Sequence, residues 1–213
     1  MFSFPLIWYF ILALASGLCL IYRIIESITS TVNYFKIFDT YVLIAGFIYF
    51  LINVICQIRA TESDKGKTGF IQNYVGKYFI IIAIGCLFLA NMAYGIVRII
   101  QGSTFFYDSG ALGYTDNIIA EIAIPICCVI DLFISPRKCV SRLLWEMVGL
   151  ILIIVVFCLI EWGVSSSTFS QYFTKNWSHI IFRPIFSVLG YFVYEFIVKK
   201  RGGETSDYKE VKN

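Results

Sequence analysis

Residues 145–162 read WEMVGLILIIVVFCLIEW, and this stretch decides the fold class. From Met147 to Ile160 it carries no charged side chain. An α-helix needs about 20 mostly apolar residues to cross the hydrocarbon core of a bilayer. A tryptophan stands at each end of the stretch, and tryptophan is enriched at membrane–water interfaces. The stretch therefore predicts a membrane-spanning helix.

The same apolar composition extends over the whole chain of 213 residues. Hydrophobic residues make up 59% of it and charged residues 15%, whereas soluble domains average about 45–50% apolar and about 25% charged residues. The net charge of +3 is small, and no basic face suggests nucleic-acid binding. The composition thus excludes a soluble enzyme, a nucleic-acid binder and a disordered protein.

The seven cysteines indicate packing rather than chemistry. They include no C-x-x-C pair and no Cys/His spacing of the kind that binds zinc. We therefore predict no disulfide framework, no metal site and no cofactor.

Five further stretches resemble the first, so we predict an all-α, polytopic bundle of six transmembrane helices. The transmembrane domain covers residues 1–198, and 199–213 form a polar tail. The predicted spans are approximately 4–22, 40–58, 78–97, 117–135, 145–162 and 180–198.

Lysine and arginine are distributed unequally between the two sides of this bundle. Twelve, including Lys77 at the end of the 59–77 loop, fall on the side of both termini. Five fall on the other side: Arg23, Lys36, Arg98, Lys175 and Arg183. Because cytoplasmic loops carry the excess of positive charge, both termini are predicted to be cytoplasmic. The N-x-S/T sequon at Asn176 falls on the opposite side, which agrees, and Asn176 is a possible glycosylation site.

Acidic residues near the helix ends are expected to be interfacial and locally paired. Glu161 ends the fifth span beside Trp162. Glu146, Asp131 and Glu195 lie near the cytoplasmic ends of the fifth, fourth and sixth spans. Their expected partners are Arg142 for Glu146, the Arg137-Lys138 pair for Asp131, and Lys199 for Glu195.

The opposite ends of the helices carry the only candidate chemistry. An antiparallel bundle places Asp39, Thr40, Asp116, Glu121 and His179 in one depth layer. Thr40 is a candidate nucleophile if a base lies within about 3 Å, and Glu121 could orient His179, the chain's only histidine. Each residue also has a structural alternative.

Those alternatives stay open at this point. Asp39 or Thr40 could cap the second helix, and His179 could be an interfacial residue. Glu121 could pair with Arg98 or Arg183. Pro125 removes the amide that would bond the carbonyl of Glu121, which suggests a kink in the fourth helix.

The chain resembles the six-helix androgen-induced (ADTRP) membrane protein family and the related Rolling stone proteins. Three stretches carry the resemblance: KIFDTY at 36–41 running into an aromatic second helix, Ile124-Pro125 followed by IDLF at 130–133, and the Pro-Arg-Lys loop before an aromatic fifth helix. The likeness covers most of the chain but consists of loose hydrophobic patterns.

The resemblance implies a threonine hydrolase that cleaves fatty-acid esters of hydroxy fatty acids inside the bilayer. The family's threonine lies at the start of the second helix, which Thr40 matches to within a residue. The family's histidine precedes the proline of the fourth helix, and here that stretch contains Glu121 and no histidine. Either Glu121 or His179 takes that role, or the chain is a pseudo-enzyme.

Other features concern partners and location. The expected partners are the lipid bilayer and a lipid substrate, with no nucleic acid, and the location is the endomembrane system or plasma membrane. Tyr208 and Val211 fit a Tyr-x-x-hydrophobic sorting signal. The alternative function is a non-catalytic scaffold, assembly or lipid-binding protein. A small-solute transporter comes third, because the sequence shows neither internal repeats nor charges deep in the spans.

Overall fold

The computed structural model describes residues 4–29, 34, 37–58, 75–103, 110–134, 143–165 and 168–201. Within these ranges it does not describe the side chains of Leu143, Leu144, Lys175, Asn176, Ser178 and His179. Tyr208, Val211 and the rest of the predicted tail beyond Arg201 lie outside the described residues, as do Arg137, Lys138 and Arg142.

Every regular element in the described ranges is helical, and there are six membrane-length helices. The helix α1 covers Phe4–Thr29, α2 covers Phe38–Ile58, α5 covers Leu143–Ser165 and α6 covers Phe169–Lys200. The other two helices contain π-helical turns. The helix α3 consists of Gly76–Ile82, the π-helical Ala83–Ala90 and Asn91–Ile100. The helix α4 consists of Gly110–Ile118, the π-helical Ile119–Ala123 and Ile124–Ile134.

All six predicted spans are found, but five of the helices start earlier than predicted and several also end later. The largest difference is in α6, which begins at Phe169 instead of residue 180. A capping box explains this start: Thr168 accepts a hydrogen bond from the amide of Gln171, and Gln171 returns one to Thr168. Asn176 and His179 therefore lie within α6, so the sequon is helical and not in a loop.

The helices alternate in direction. Tyr9 of α1 meets Tyr49 of α2 near one end of the pair, and Arg23 meets Thr40 near the other. We call the end that holds Phe4 and Lys200 the terminal end, and the end that holds Thr29 and Phe38 the distal end. Within α3, 61% of the apolar span is buried, against 17–39% in the other five helices, so α3 is the central helix of the bundle.

The outer helices expose more contiguous apolar surface than soluble proteins usually do. Isoleucine and leucine side chains are exposed along α1 and α5. Together with the six apolar spans, this surface fits the hydrocarbon of a bilayer, so the chain is a multi-pass integral membrane protein.

Candidate functional site: a polar cluster at the distal end

A buried group of charged and polar side chains lies at the distal end, and all six helices contribute to it. We call it the six-helix cluster. Most of its members are buried, and Glu121 is half-buried. Its members are Arg23 of α1, Asp39 and Thr40 of α2, Asn91 of α3, Asp116 and Glu121 of α4, Glu161 of α5 and Arg183 of α6.

Arg23 connects three helices within the cluster. Its Nε bonds to Oδ2 of Asp116 at 2.9 Å, and one terminal nitrogen donates to Oγ1 of Thr40 at 3.0 Å. Its guanidinium also lies 5.5 Å from the ring centre of Tyr34. A buried arginine is tolerated only when its charge and its donors are matched, and this geometry supplies both on neighbouring helices.

Thr40 is buried at the start of α2, and its hydroxyl makes two hydrogen bonds. It donates to the carbonyl oxygen of Tyr34 at 2.8 Å while accepting from Arg23. The backbone amide of Thr40 bonds to the carbonyl of Ile37 at 3.1 Å. The threonine oxygen is thus held in place beside a permanent positive charge.

Asn91 of the central helix binds an acid of α2. Its Nδ2 donates to Oδ2 of Asp39 at 3.0 Å. Glu121 of α4 lies in the same region, close enough to Asp39, Asp116 and Arg23 for their charges to interact. Asn91 therefore links α3 to α2, beside a second acid from α4.

Glu161 is the second centre of the cluster. Its Oε2 accepts from the Tyr172 hydroxyl at 2.7 Å and from Arg183 at 2.9 Å, and its Oε1 accepts from the backbone amide of Phe38 at 3.3 Å. The Arg183 guanidinium also lies 4.0 Å from the centre of the Phe38 ring. Glu161 is buried within the protein, and its position at the level of the membrane interface stays a prediction.

Tyr172 lies on α6 before the apolar span begins at Ile180. Burial, with the hydrogen bond to Glu161 second, raises the pKa of Tyr172 above its ordinary value. The phenol therefore keeps its proton and acts as a donor to Glu161 over the whole physiological pH range.

Three buried polar atoms of the cluster make no hydrogen bond within the described part of the chain. They are Oδ1 of Asp39, Oδ1 of Asp116 and Nε of Arg183. Buried polar groups are normally paired, so these atoms are suited to contact a polar group of a bound molecule. No group of three or more His, Cys, Asp or Glu side chains in the described ranges has the arrangement of a metal site.

The predicted site residues are partly brought together. Thr40 belongs to the six-helix cluster through its hydrogen bond with Arg23, and Glu121 lies near the charges of Asp39, Asp116 and Arg23. Asp39 and Asp116 lie in the same cluster, as the shared depth layer predicts. The side chain of His179 is outside the described residues, so its place relative to Thr40 stays a prediction.

Sequence reasoning missed Arg23, Asn91 and Arg183 as members of the site. Both arginines were counted with the loops, Arg23 because the first predicted span stops before it and Arg183 because it stands near the start of the sixth, whereas the structure buries both inside helices. A usable signal existed: an arginine in or beside an apolar span has to find a partner inside the protein.

A second, smaller polar group lies at the terminal end. Nζ of Lys77 bonds to Glu146 at 2.7 Å and to Glu195 at 3.1 Å, and the Tyr191 hydroxyl donates to Glu146 at 2.9 Å. Lys199 also reaches Glu195, at 3.6 Å, which confirms that predicted pair. Lys77 is buried in the first turn of α3 and is not a loop residue.

Comparison of the chain with models of known families, with characterised proteins and with solved structures found no match.

Proposed function

We propose that this multi-pass membrane protein is an intramembrane hydrolase of lipid esters, with Thr40 as its nucleophile. The observation that carries the proposal is the 3.0 Å hydrogen bond from Arg23 to the Thr40 hydroxyl inside a buried ionic cluster. In many proteins the free energy lost when two ions are removed from water exceeds the free energy gained when they pair. Ionisable residues inside a membrane domain are therefore usually functional. A purely structural bundle of this length does not require such a cluster.

The chemistry assigns a separate task to each group. Oγ1 of Thr40 attacks the ester carbonyl and gives up its proton to a carboxylate, for which Glu121 is the candidate. Arg23 makes the loss of the threonine proton easier, because its positive charge stabilises the partly ionised oxygen before that oxygen bonds to the carbonyl carbon. The proton then passes to the departing alkoxide, an acyl-threonine remains, and water hydrolyses it to release the fatty acid and restore the hydroxyl.

The position of the cluster favours a lipid substrate over a soluble one. Its members belong to helices whose outer faces are apolar, and a lipid can reach such a site by lateral movement within the bilayer. The resemblance of the stretch at 36–41 to a family of threonine hydrolases supports the same substrate class, namely fatty-acid esters of hydroxy fatty acids.

The test is hydrolysis of such an ester by the purified protein in lipid nanodiscs. We expect Thr40→Ala to abolish the activity and Thr40→Ser to retain part of it, because serine keeps the hydroxyl. Thr115→Ala is the matched control, since Thr115 is an exposed threonine on α4 whose hydroxyl bonds to the carbonyl of Ala111. Undiminished hydrolysis by a folded Thr40→Ala protein would contradict the assignment.

A second candidate is a non-catalytic membrane protein that binds a lipid or a protein partner. The bonding of Thr40 favours it, because the hydroxyl proton is directed at the Tyr34 carbonyl and not at a carboxylate. This function predicts no labelling of Thr40 by hydrolase-directed covalent probes. It also predicts a partner that copurifies equally well with the wild type and with Thr40→Ala.

A further inference from the structure

The amino-terminal turn of α2, which carries Thr40, is held by a carboxylate from another helix. The first amides of an α-helix have no partner within the helix. Here the amide of Phe38, the first residue of α2, donates to Oε1 of Glu161 on α5. A negative charge at this end also interacts favourably with the helix dipole. The cap comes from Glu161, and the adjacent Asp39 and Thr40 direct their side chains to Asn91, Arg23 and Tyr34.

Glu161 is itself fixed by two donors on a single helix. Tyr172 and Arg183 are eleven residues apart on α6, which is close to three helical turns, so both lie on the same face. Each donates to Oε2 of Glu161, at 2.7 and 2.9 Å. The carboxylate thus has one oxygen directed to α2 and the other held by α6.

Arg183 contacts the same residue of α2 from the side. Its guanidinium lies 4.0 Å from the centre of the Phe38 ring, in the range of a cation–π interaction. Glu161 therefore binds the backbone amide of Phe38, and Arg183, its ion-pair partner, contacts the Phe38 ring. Two residues later, Thr40 is left with little freedom to move.

From these contacts we infer that Glu161 is a positioning residue for Thr40, acting through the amino-terminal turn of α2 with Arg183 and Tyr172 as its supports. This inference rests on the proposed role of Thr40 as nucleophile. Glu161 does not take part in the bond-making steps. It fixes where the threonine oxygen lies, and a displacement of about 1 Å at a reacting atom can cost about 100-fold in rate.

The chain offers a close control for this inference. Glu146 lies on the same helix α5 and accepts from Lys77 and from the Tyr191 hydroxyl, as Glu161 accepts from Arg183 and Tyr172. Glu146 belongs to the terminal end, away from the start of α2. Glu146→Ala therefore removes a comparable buried ion pair without touching the cap.

The experiment measures two properties of Glu161→Ala, Glu161→Gln and Glu146→Ala in nanodiscs. The first is amide hydrogen exchange over residues 37–43, which does not depend on catalysis. We expect exchange there to rise in Glu161→Ala and to stay near the wild-type level in Glu146→Ala. Glu161→Gln should retain most of the protection, because its amide oxygen can still accept from Phe38.

The second property is ester hydrolysis. We expect Glu161→Ala to lower kcat by about 100-fold with little change in KM, Glu161→Gln to lose less, and Glu146→Ala to keep its kcat. Equal effects of Glu161→Ala and Glu146→Ala on exchange at 37–43 would overturn the positioning role. If the wild type hydrolyses no ester, the proposed function fails, and the exchange measurement still decides whether Glu161 holds the start of α2.

Discussion

At the scale of single residues, Lys77 shows how a charge is accommodated inside this bundle. The side chain is only 3% exposed and binds Glu146 of α5 and Glu195 of α6 at once. Its ammonium also lies 5.2 and 5.5 Å from the ring centres of Tyr191 and Tyr194. Three helices therefore meet at one positive charge, and removing it leaves two acids without their shared partner.

We predict that Lys77→Met destabilises the protein by about 3–5 kcal/mol, the cost of leaving buried charges uncompensated. Lys199 serves as the control, because it also pairs with Glu195 but its side chain is 55% exposed. Lys199→Met should cost less than about 1 kcal/mol, as exposed ion pairs do. Unfolding of both variants in detergent micelles measures the difference, and equal losses would contradict the prediction.

The buried cations also mark where reasoning from sequence reached its limit for single residues. Lys77, Arg23 and Arg183 each stand in or next to a predicted span. From the sequence alone, a charge in that position is assigned to the membrane interface, because no residue close to it in the chain could be its partner inside the protein. The partners, Glu146 for Lys77 and Asp116 for Arg23, come from other helices, so only the packing shows them.

At the scale of helices, α3 and α6 approach each other closely at two glycines. A Cβ atom added to Gly85 of α3 would lie 2.5 Å from Cα of Ser187 and 2.6 Å from the carbonyl oxygen of Phe186. One added to Gly190 of α6 would lie 2.7 Å from the carbonyl oxygen of Ile81. Small residues at such positions let membrane helices approach closely, and neither backbone can move aside cheaply.

We predict that Gly85→Ala destabilises the protein by about 1–3 kcal/mol through overpacking. Gly163 of α5 is the control, since a Cβ there meets nothing within 4 Å. Gly163→Ala should be neutral or slightly stabilising, because alanine favours the helix by up to about 1 kcal/mol over glycine. Denaturant titration of the two variants tests this, and a stable Gly85→Ala protein would show that α3 and α6 do not pack so closely.

The existence of each helix followed from hydropathy, whereas its ends did not. Apolar windows stop where polar residues begin, but α1 continues through Arg23 to Thr29 because Asp116 and Thr40 satisfy that arginine. The start of α6 depends on the Thr168–Gln171 capping box. This motif is present in the sequence and could have been recognised. The π-helical turn of α4 contains Glu121, whose carbonyl loses its usual amide partner at Pro125, whereas α3 has a π-helical turn without a proline.

At the scale of the whole molecule, six helices of alternating direction bring Phe4 and Lys200 to the same end of the bundle. The two polar groups lie at opposite ends, with a largely apolar core between them that includes Tyr49, Phe50 and Ile80. Which end faces the cytoplasm stays a prediction from the distribution of lysine and arginine.

We predict that both termini are cytoplasmic, because twelve of the seventeen basic residues lie on their side. Protease added to the outside of sealed microsomes should remove an epitope tag from the carboxyl terminus. A tag inserted within residues 104–109 should be protected, since α3 ends and α4 begins at the distal end of the bundle. The reverse pattern would show that the orientation is inverted.

The sequence by itself determined the membrane character, the number of spanning helices and the presence of Thr40 and Glu121 near one level of the bundle. These properties depend on the hydropathy of local stretches and on the length of a helix that crosses a bilayer. Only the tertiary structure decided which charges are buried and what holds them. Arg23, Asn91, Glu161 and Arg183 form one cluster because side chains far apart in the chain neutralise and hydrogen-bond one another, and no local pattern records that pairing.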